Sequence, residues 1–197
     1  KMDQILLFLI SSLALTLMPG PDILFVLNQS LENKKSGLLI SIGLCCGLIV
    51  HTLILVFGLS VFIETNEYMI DYLKYFGTVY LFYLAYDELN TKFKQSSKPN
   101  NANLFLRGLY MNLVNPKVLL FFIAYFPNFL FSETLSISIQ FLILGLIFIS
   151  QALIVFSSVS IASNKLILFL KIDTANHRLS YFKALVFCVI GLSILFY

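Results

Sequence analysis

The sequence Met18-Pro19-Gly20-Pro21-Asp22 interrupts an apolar stretch that runs from Ile5 to Leu31. This stretch is long enough to cross a bilayer as a helix, for which about 20 residues suffice. Two prolines and a glycine near its middle oppose a continuous helix, because proline lacks an N–H group and clashes with the carbonyl one turn earlier. In a membrane, backbone groups freed at a break must pack in protein or line a watery cavity. The stretch therefore predicts a broken helix that faces a pathway.

The composition indicates a membrane protein. Of the 197 residues, 59% are hydrophobic and 12% are charged, whereas a soluble domain has about 25% charged residues. A soluble fold of this composition would expose large apolar patches and aggregate. We predict an all-α membrane protein whose residues 1–197 form a single transmembrane domain. The first apolar stretch is expected to be a retained span, since no small-residue cleavage site precedes its end.

Six apolar segments are candidates for transmembrane spans. They are Ile5–Leu31, Leu38–Ile63, Met69–Leu89, Leu104–Phe131, Leu135–Ala162 and Tyr181–Tyr197. The polar connector at 92–103 is predicted to be an exposed loop, and Asn164–Lys171, with basic ends around apolar residues, is expected to lie along the interface. Ten lysines and arginines lie at the connectors 32–36, 90–107 and 164–183, against two on the other side. These connectors are therefore predicted to be cytoplasmic, with both termini outside.

The fourth candidate span repeats the interruption of the first. It contains Asn115-Pro116-Lys117, and Pro21 and Pro116 are 95 positions apart. Divided at the polar connector, the chain has two halves, about 1–95 and 100–197, each with three spans of which the first is broken. Three is odd, so the second half would be inverted in the membrane. Interrupted spans at corresponding positions are typical of transporters with inverted repeats and a midplane site. We predict six transmembrane helices as two inverted three-helix repeats.

The two breaks carry opposite charges. Pro21 and Pro116 each suit the first position of a new helix, and Asn115 suits the N-cap of the second. Unpaired N–H groups make a helix start positive, which favours Asp22 there and disfavours Lys117 unless it meets an anion. We hypothesise that these two charged residues pair in the empty state and exchange partners when a substrate enters.

A site with both charges suits a zwitterion such as an amino acid. Asp22, with carbonyls freed at Leu15 and Leu17 by the prolines, would take the ammonium group, and Lys117 the carboxylate. The alternative is one static buried pair between two kinked helices, although charges inside a membrane are usually functional. The predicted substrate-binding residues are Pro19, Gly20, Pro21, Asp22, Asn115, Pro116 and Lys117.

Further motifs lie between and beyond the two breaks. The full set, which includes the two breaks, has five groups: Pro19-Gly20-Pro21-Asp22; Gly43, Gly47 and His51; Lys74, Gly77 and Tyr80-Leu81; Arg107-Gly108, Asn112 and Asn115-Pro116-Lys117; and Phe126-Pro127 with Phe129. With these motifs the sequence resembles the lysine-exporter (LysE/RhtB-type) family of bacterial amino-acid efflux proteins. The resemblance implies efflux of amino acids or close derivatives across the bacterial inner membrane, driven by the proton gradient as an antiport. Members often have a threonine just before Pro-Gly-Pro, where this chain has Met18.

Three further polar residues lie within candidate spans. His51 could relay the coupling proton, as Asp22 could, or it could only donate a structural hydrogen bond. Gly43 and Gly47 would let the helix of His51 approach another helix, which we expect to be the broken first one. Candidates for polar lining are Asn28 and Asn112, each of which could instead bond a neighbouring helix.

Other classes of function have little support in the sequence. An enzyme is not expected, since His51 and His177 are the only histidines and no HExxH motif occurs. No cofactor, metal or nucleic-acid partner is expected. A membrane thiol–disulfide conductor remains an alternative because of Cys45, Cys46 and Cys188, and so does a passive channel. The small-residue faces would serve packing within one subunit or in a homodimer.

Overall fold

Every regular element in the described part of the chain is a helix. The structure is a computed structural model that describes residues 2–18, 20–66, 68–90, 103–170 and 177–196. For residues 2, 116, 117, 167–170, 177–179, 195 and 196 it describes the backbone alone. The helices are α1 (Met2–Leu17), α2 (Pro21–Glu32), α3 (Lys34–Ile54), α4 (Ser60–Thr65), α5 (Met69–Asn90), α6 (Leu104–Leu113), α7 (Pro116–Tyr125), α8 (Ile137–Leu170) and α9 (His177–Phe196).

Two short turns extend this pattern. A π-helical turn, Leu55–Leu59, joins α3 to α4, and a 3₁₀ turn, Phe126–Phe129, continues α7. All six apolar segments thus contain helices. By length and composition, Lys34–Thr65 and Ile137–Leu166 can each cross a membrane. The number among the described residues is four when each of the bent pairs α1–α2 and α6–α7 is counted as one span. Six spans in inverted repeats therefore stay a prediction, and most of the connector predicted at 92–103 lies outside the described residues.

Both predicted helix breaks are confirmed. The chain bends by 54° between α1 and α2 and by 53° between α6 and α7. The second helix of each pair begins at a proline, Pro21 or Pro116, because a missing N–H group is harmless at the first helical position. The prediction that the Leu15 carbonyl is free was wrong, since the Met18 N–H donates to it at 3.2 Å. The chain tightens into a shorter turn before the break, which gives that oxygen a partner.

The segment expected along the interface is a continuation of α8. The helix runs without interruption from Ile137 to Leu170, and it includes all of the described part of Asn164–Lys171. No proline occurs between these bounds, so nothing in the sequence opposes continuation. At about 1.5 Å per residue the 34-residue helix exceeds the thickness of a ~30 Å hydrocarbon core.

An aromatic cluster packs α1 against α7 and against the 3₁₀ turn that continues it. The ring of Phe8 lies 5.5 Å from that of Tyr125 and 5.3 Å from that of Phe129, measured between centroids. Phe122 stacks on Phe126 with centroids 4.4 Å apart. Phe8, Phe122, Tyr125 and Phe126 are fully buried. By contrast, large apolar side chains such as Phe57, at 75% exposure, cover the outside of the bundle, as a bilayer surface requires.

Glycines bring α3 and α6 into backbone contact. A Cβ atom on Gly43 would overlap the carbonyl oxygen of Phe105, and one on Gly108 would overlap that of Ile40. Each helix therefore needs a glycine where it meets the backbone of the other. The expected partner of the α3 glycines, the first broken helix, was wrong: Gly43 faces α6, which belongs to the second. The choice between two broken helices depends on tertiary packing, which glycine spacing does not encode.

A Ser12→Ala substitution is expected to lower the free energy of unfolding by about 1 kcal/mol, within the range measured for interhelical hydrogen bonds in membranes. Ser12 is fully buried, and its Oγ donates to Oε1 of Gln151 on α8 at 2.6 Å. Thermal unfolding in detergent should show a midpoint a few degrees lower. Ser150→Ala is the matched control, because the exposed Ser150 hydroxyl bonds only the Leu146 carbonyl of its own helix. An equal shift in both variants would contradict this role for the bond between α1 and α8.

Candidate functional site

A cavity lies where the two helix breaks meet. Its volume is about 200 Å³, enough for on the order of ten waters, or for one small organic molecule, at roughly 10–15 Å³ per water. Its polar wall consists of Thr16, Asp22, Glu88, Asn112, Asn115 and Lys183. Aromatic and aliphatic side chains complete the wall, among them Leu48, Phe121, Phe122, Phe148, Phe156 and Phe187. The cavity is therefore mostly apolar with a few ionisable groups, as small-molecule sites usually are.

Five residues predicted from the sequence lie on the wall of this cavity. They are Gly20, Pro21 and Asp22 at the first break, and Asn112 and Asn115 at the second. The structure thus brings the two breaks to one place. Pro19 lies outside the described residues, and Pro116 and Lys117 are described only as the backbone that begins α7. Asn28 is exposed on α2 and is not part of the wall.

Two residues that line the cavity each have an acceptor oxygen without a hydrogen-bond partner among the described residues. These oxygens are Oδ1 of Asp22 and Oδ1 of Asn112, and both atoms are buried. A buried polar atom without a partner costs about 1–3 kcal/mol, and more when the group is charged. Such atoms are uncommon in folded proteins and call for an explanation. Here one such acceptor comes from each break, and that of Asn112 lies against Gly47 on α3.

His51 on α3 contacts the second helix break without lining the cavity. It is 1% exposed, and its Nε2 lies 3.3 Å from the backbone carbonyl oxygen of Asn112. Its ring also contacts Phe122, with centroids 5.6 Å apart, while Nδ1 has no partner among the described residues. The histidine does not lie on the cavity wall. The structural hydrogen bond considered for His51 is therefore present, and its role in proton coupling stays a prediction.

The cavity wall contains an ion pair that was not predicted from the sequence. Nζ of Lys183 on α9 lies 2.6 Å from Oε1 of Glu88 on α5, and the side chains are 2% and 17% exposed. Counting Lys183 among the connector charges was wrong, because it is buried inside the bundle. Without it the connectors hold nine basic residues against two, and the predicted orientation is unchanged. The signal was available, since Lys183 falls inside the candidate span Tyr181–Tyr197 and intramembrane charges usually mark functional sites.

A broken helix pair around a partly charged cavity is expected of many transporters, so comparison with known proteins decides the family. The sequence model described as "LysE type translocator" matches residues 13–197. The chain belongs to the LysE type translocator family. The resemblance inferred from the two proline motifs is thereby confirmed. This LysE type translocator is a multi-pass membrane protein of an amino-acid efflux family and not a member of an enzyme family.

Curated relatives of this LysE type translocator carry the name "Leucine efflux protein". They come from Salmonella choleraesuis (strain SC-B67), Salmonella paratyphi A (strain ATCC 9150 / SARB42) and Salmonella typhimurium (strain LT2). Each is 31% identical over 150 residues, which cover 70% of this chain and 68% of the relative. No solved structure matches the chain.

Proposed function

We propose that this LysE type translocator exports amino acids with apolar side chains, leucine among them, by proton antiport through a site at the two helix breaks. The observation that carries the proposal is the pair of buried, unpartnered acceptors, Oδ1 of Asp22 and Oδ1 of Asn112, on one cavity wall. An α-ammonium group carries three N–H donors and a positive charge. It can satisfy both acceptors at once, and its bond to a carboxylate is charge-assisted and therefore strong.

The carboxylate of the substrate has a complementary end of the cavity available. The backbone of α7 begins at Pro116, so its first N–H groups and the positive end of its dipole lie at the second break. Lys117 occupies the first turn of this helix and is the proposed cation for the carboxylate. A helix start that receives an anion is a recurrent arrangement in transporters with broken helices.

The side chain of the substrate would meet an apolar surface. The wall between the charged groups is formed largely by phenylalanines, including Phe121, Phe148 and Phe156, and Ala152 is fully buried beside them. A cavity of about 200 Å³ has room for an aliphatic side chain. A substrate with a charged side chain would bring a third charge against this apolar wall, and that charge would need a partner of its own. This favours neutral apolar amino acids, in agreement with the leucine named for the relatives.

The direction and energy source of transport are inferred from the relatives and from two titratable residues. Export follows the efflux named for the relatives, and placement in the bacterial inner membrane follows the family. The cytoplasmic position of the connectors follows the distribution of basic residues. Asp22 and His51 are the proposed carriers of the coupling proton. A midplane position of the site is supported by the lengths of α2 and α6, the helices that join the two breaks to basic connectors. They have 12 and 10 residues, which correspond to about 15–18 Å at 1.5 Å per residue.

The proposal is tested by counterflow with purified protein in liposomes. Vesicles loaded with unlabelled leucine should take up labelled leucine rapidly, whereas vesicles loaded with lysine or glutamate should do so poorly. An imposed proton gradient should then drive leucine accumulation, which a passive channel cannot do. Failure of every amino acid to exchange would contradict the proposed substrate class, and exchange without accumulation would contradict antiport.

A further inference from the structure

Glu88 and Lys183 form a buried ion pair between α5 and α9 on the wall of the cavity that contains Asp22. Lys183 is 2% exposed and Glu88 is 17% exposed. Taking two such charges out of water costs several kcal/mol per ion, and their mutual attraction compensates only when the geometry is good. A well-packed apolar pair often stabilises helices as well or better. A charged pair beside a substrate cavity therefore invites a functional explanation.

The pair lies near the ends of its two helices that adjoin the connectors. Glu88 is two residues before the described end of α5, and Lys183 is six residues after the start of α9. The helices pack closely against each other, so the ion pair is a bond across their contact, near the C-terminal end of α5 and the N-terminal end of α9. A ligand that separated the two side chains would weaken that contact.

The two groups that an amino acid presents are the groups that this pair already contains. Lys183 holds the carboxylate of Glu88 at 2.6 Å, and an α-carboxylate offers the same oxygen atoms and the same charge. Exchange of one carboxylate for another keeps the lysine paired, so no uncompensated charge is left in the bundle at that atom. Glu88 is less buried than its partner and lies on the wall of the same cavity as Asp22.

We propose that Lys183 binds the α-carboxylate of the substrate by exchanging it for Glu88, so that loading the cavity opens the bond between α5 and α9. This inference rests on the proposed function, because it assumes a zwitterionic substrate in this cavity. It adds a second cation to the site besides Lys117 and makes Glu88 a competitor of the substrate. The ion pair then acts as a closure at the connector side, which the correct substrate opens.

The test compares binding of leucine with binding of leucinamide, which has the ammonium group and the side chain but no carboxylate. The full-length protein should bind leucine at least about tenfold more tightly, since charge-assisted hydrogen bonds have this strength. In Lys183→Met this preference should fall by roughly tenfold, the contribution of one charge-assisted bond, and Lys117 accounts for the preference that remains. Glu88→Gln should keep the preference and bind leucine more tightly, because the competing carboxylate is gone. A structural pair would instead respond alike to both substitutions.

Removing one partner of a buried pair can prevent folding, so the double variant Glu88→Gln/Lys183→Met provides a second measurement. It leaves no unpaired charge at this position, and its preference for leucine should fall by the same factor as in Lys183→Met. Lys165→Met is the matched control, because this lysine is exposed on α8. Retained preference in the folded double variant would overturn the inference. If the unmodified protein itself showed no preference for leucine, the zwitterion site of the proposed function would fail instead.

Discussion

An Asp22→Asn variant is expected to lose leucine counterflow almost completely while it still inserts and folds. Asparagine has the same shape and retains one acceptor oxygen, so the packing around α2 is preserved. It lacks the negative charge on Oδ1, the atom that we propose binds the ammonium group of the substrate. Hydrogen bonds to charged groups contribute about 1.5–3 kcal/mol, which corresponds to a roughly 10- to 150-fold loss of affinity.

The control for this variant is Glu32→Gln, which removes a carboxylate from the exposed end of the same helix. It should exchange leucine at the normal rate. Lys117→Met should resemble Asp22→Asn if the two charges receive the two ends of one substrate. Near-normal counterflow in both variants would remove the proposed site. A further outcome is informative: if Asp22 only carries the proton, its variant would still exchange leucine but would no longer accumulate it against a gradient.

A Gly43→Leu variant is expected to give little folded protein. The position of its Cβ atom is occupied by backbone of α6, at the carbonyl of Phe105, and backbone cannot move aside without separating the two helices. Overpacking by a methylene group typically costs 1–3 kcal/mol, so we expect a larger loss here, of more than about 3 kcal/mol. Yield after size-exclusion chromatography and thermal unfolding in detergent would measure it.

Gly58→Leu is the control for that change, because nothing lies within 4 Å of the position where its Cβ would be. The same substitution there should leave the folded yield unchanged, and the gain in intrinsic helix propensity is the same in sign at both sites. Equal yields of the two variants would contradict the close approach of α3 and α6. A loss confined to Gly43 would show that the damage comes from the helix contact and not from replacing glycine as such.

The features that the sequence predicted well are those encoded by single residues. Pro21 and Pro116 stop a helix wherever they occur in one, so both breaks could be located from the sequence. Their meeting at one cavity followed from comparing the two halves of the chain. The charges of Asp22 and Lys117 were visible for the same reason, because a charged residue within an apolar run is rare.

The features that the sequence did not provide depend on which helices touch. Glu88 and Lys183 are 95 positions apart, and only the packing of α5 against α9 makes them partners. The glycines of α3 indicated a close approach but not its target, α6. The helix of the fifth span continues past Ala162, its predicted end, to Leu170, because no proline interrupts its backbone hydrogen bonds. The interfacial position expected for the lysine-flanked segment stays a prediction.

The two bends also determine where the molecule can flex at low energetic cost. An intact helix resists bending because its carbonyls and N–H groups are already paired along the axis. At the junctions of α1 with α2 and of α6 with α7, this backbone hydrogen bonding is already interrupted in the structure. The helices α2 and α6 can therefore tilt as rigid bodies about the two helix breaks, which adjoin the cavity. We expect motions of the substrate pathway to take place at these two points, without unwinding of the other helices.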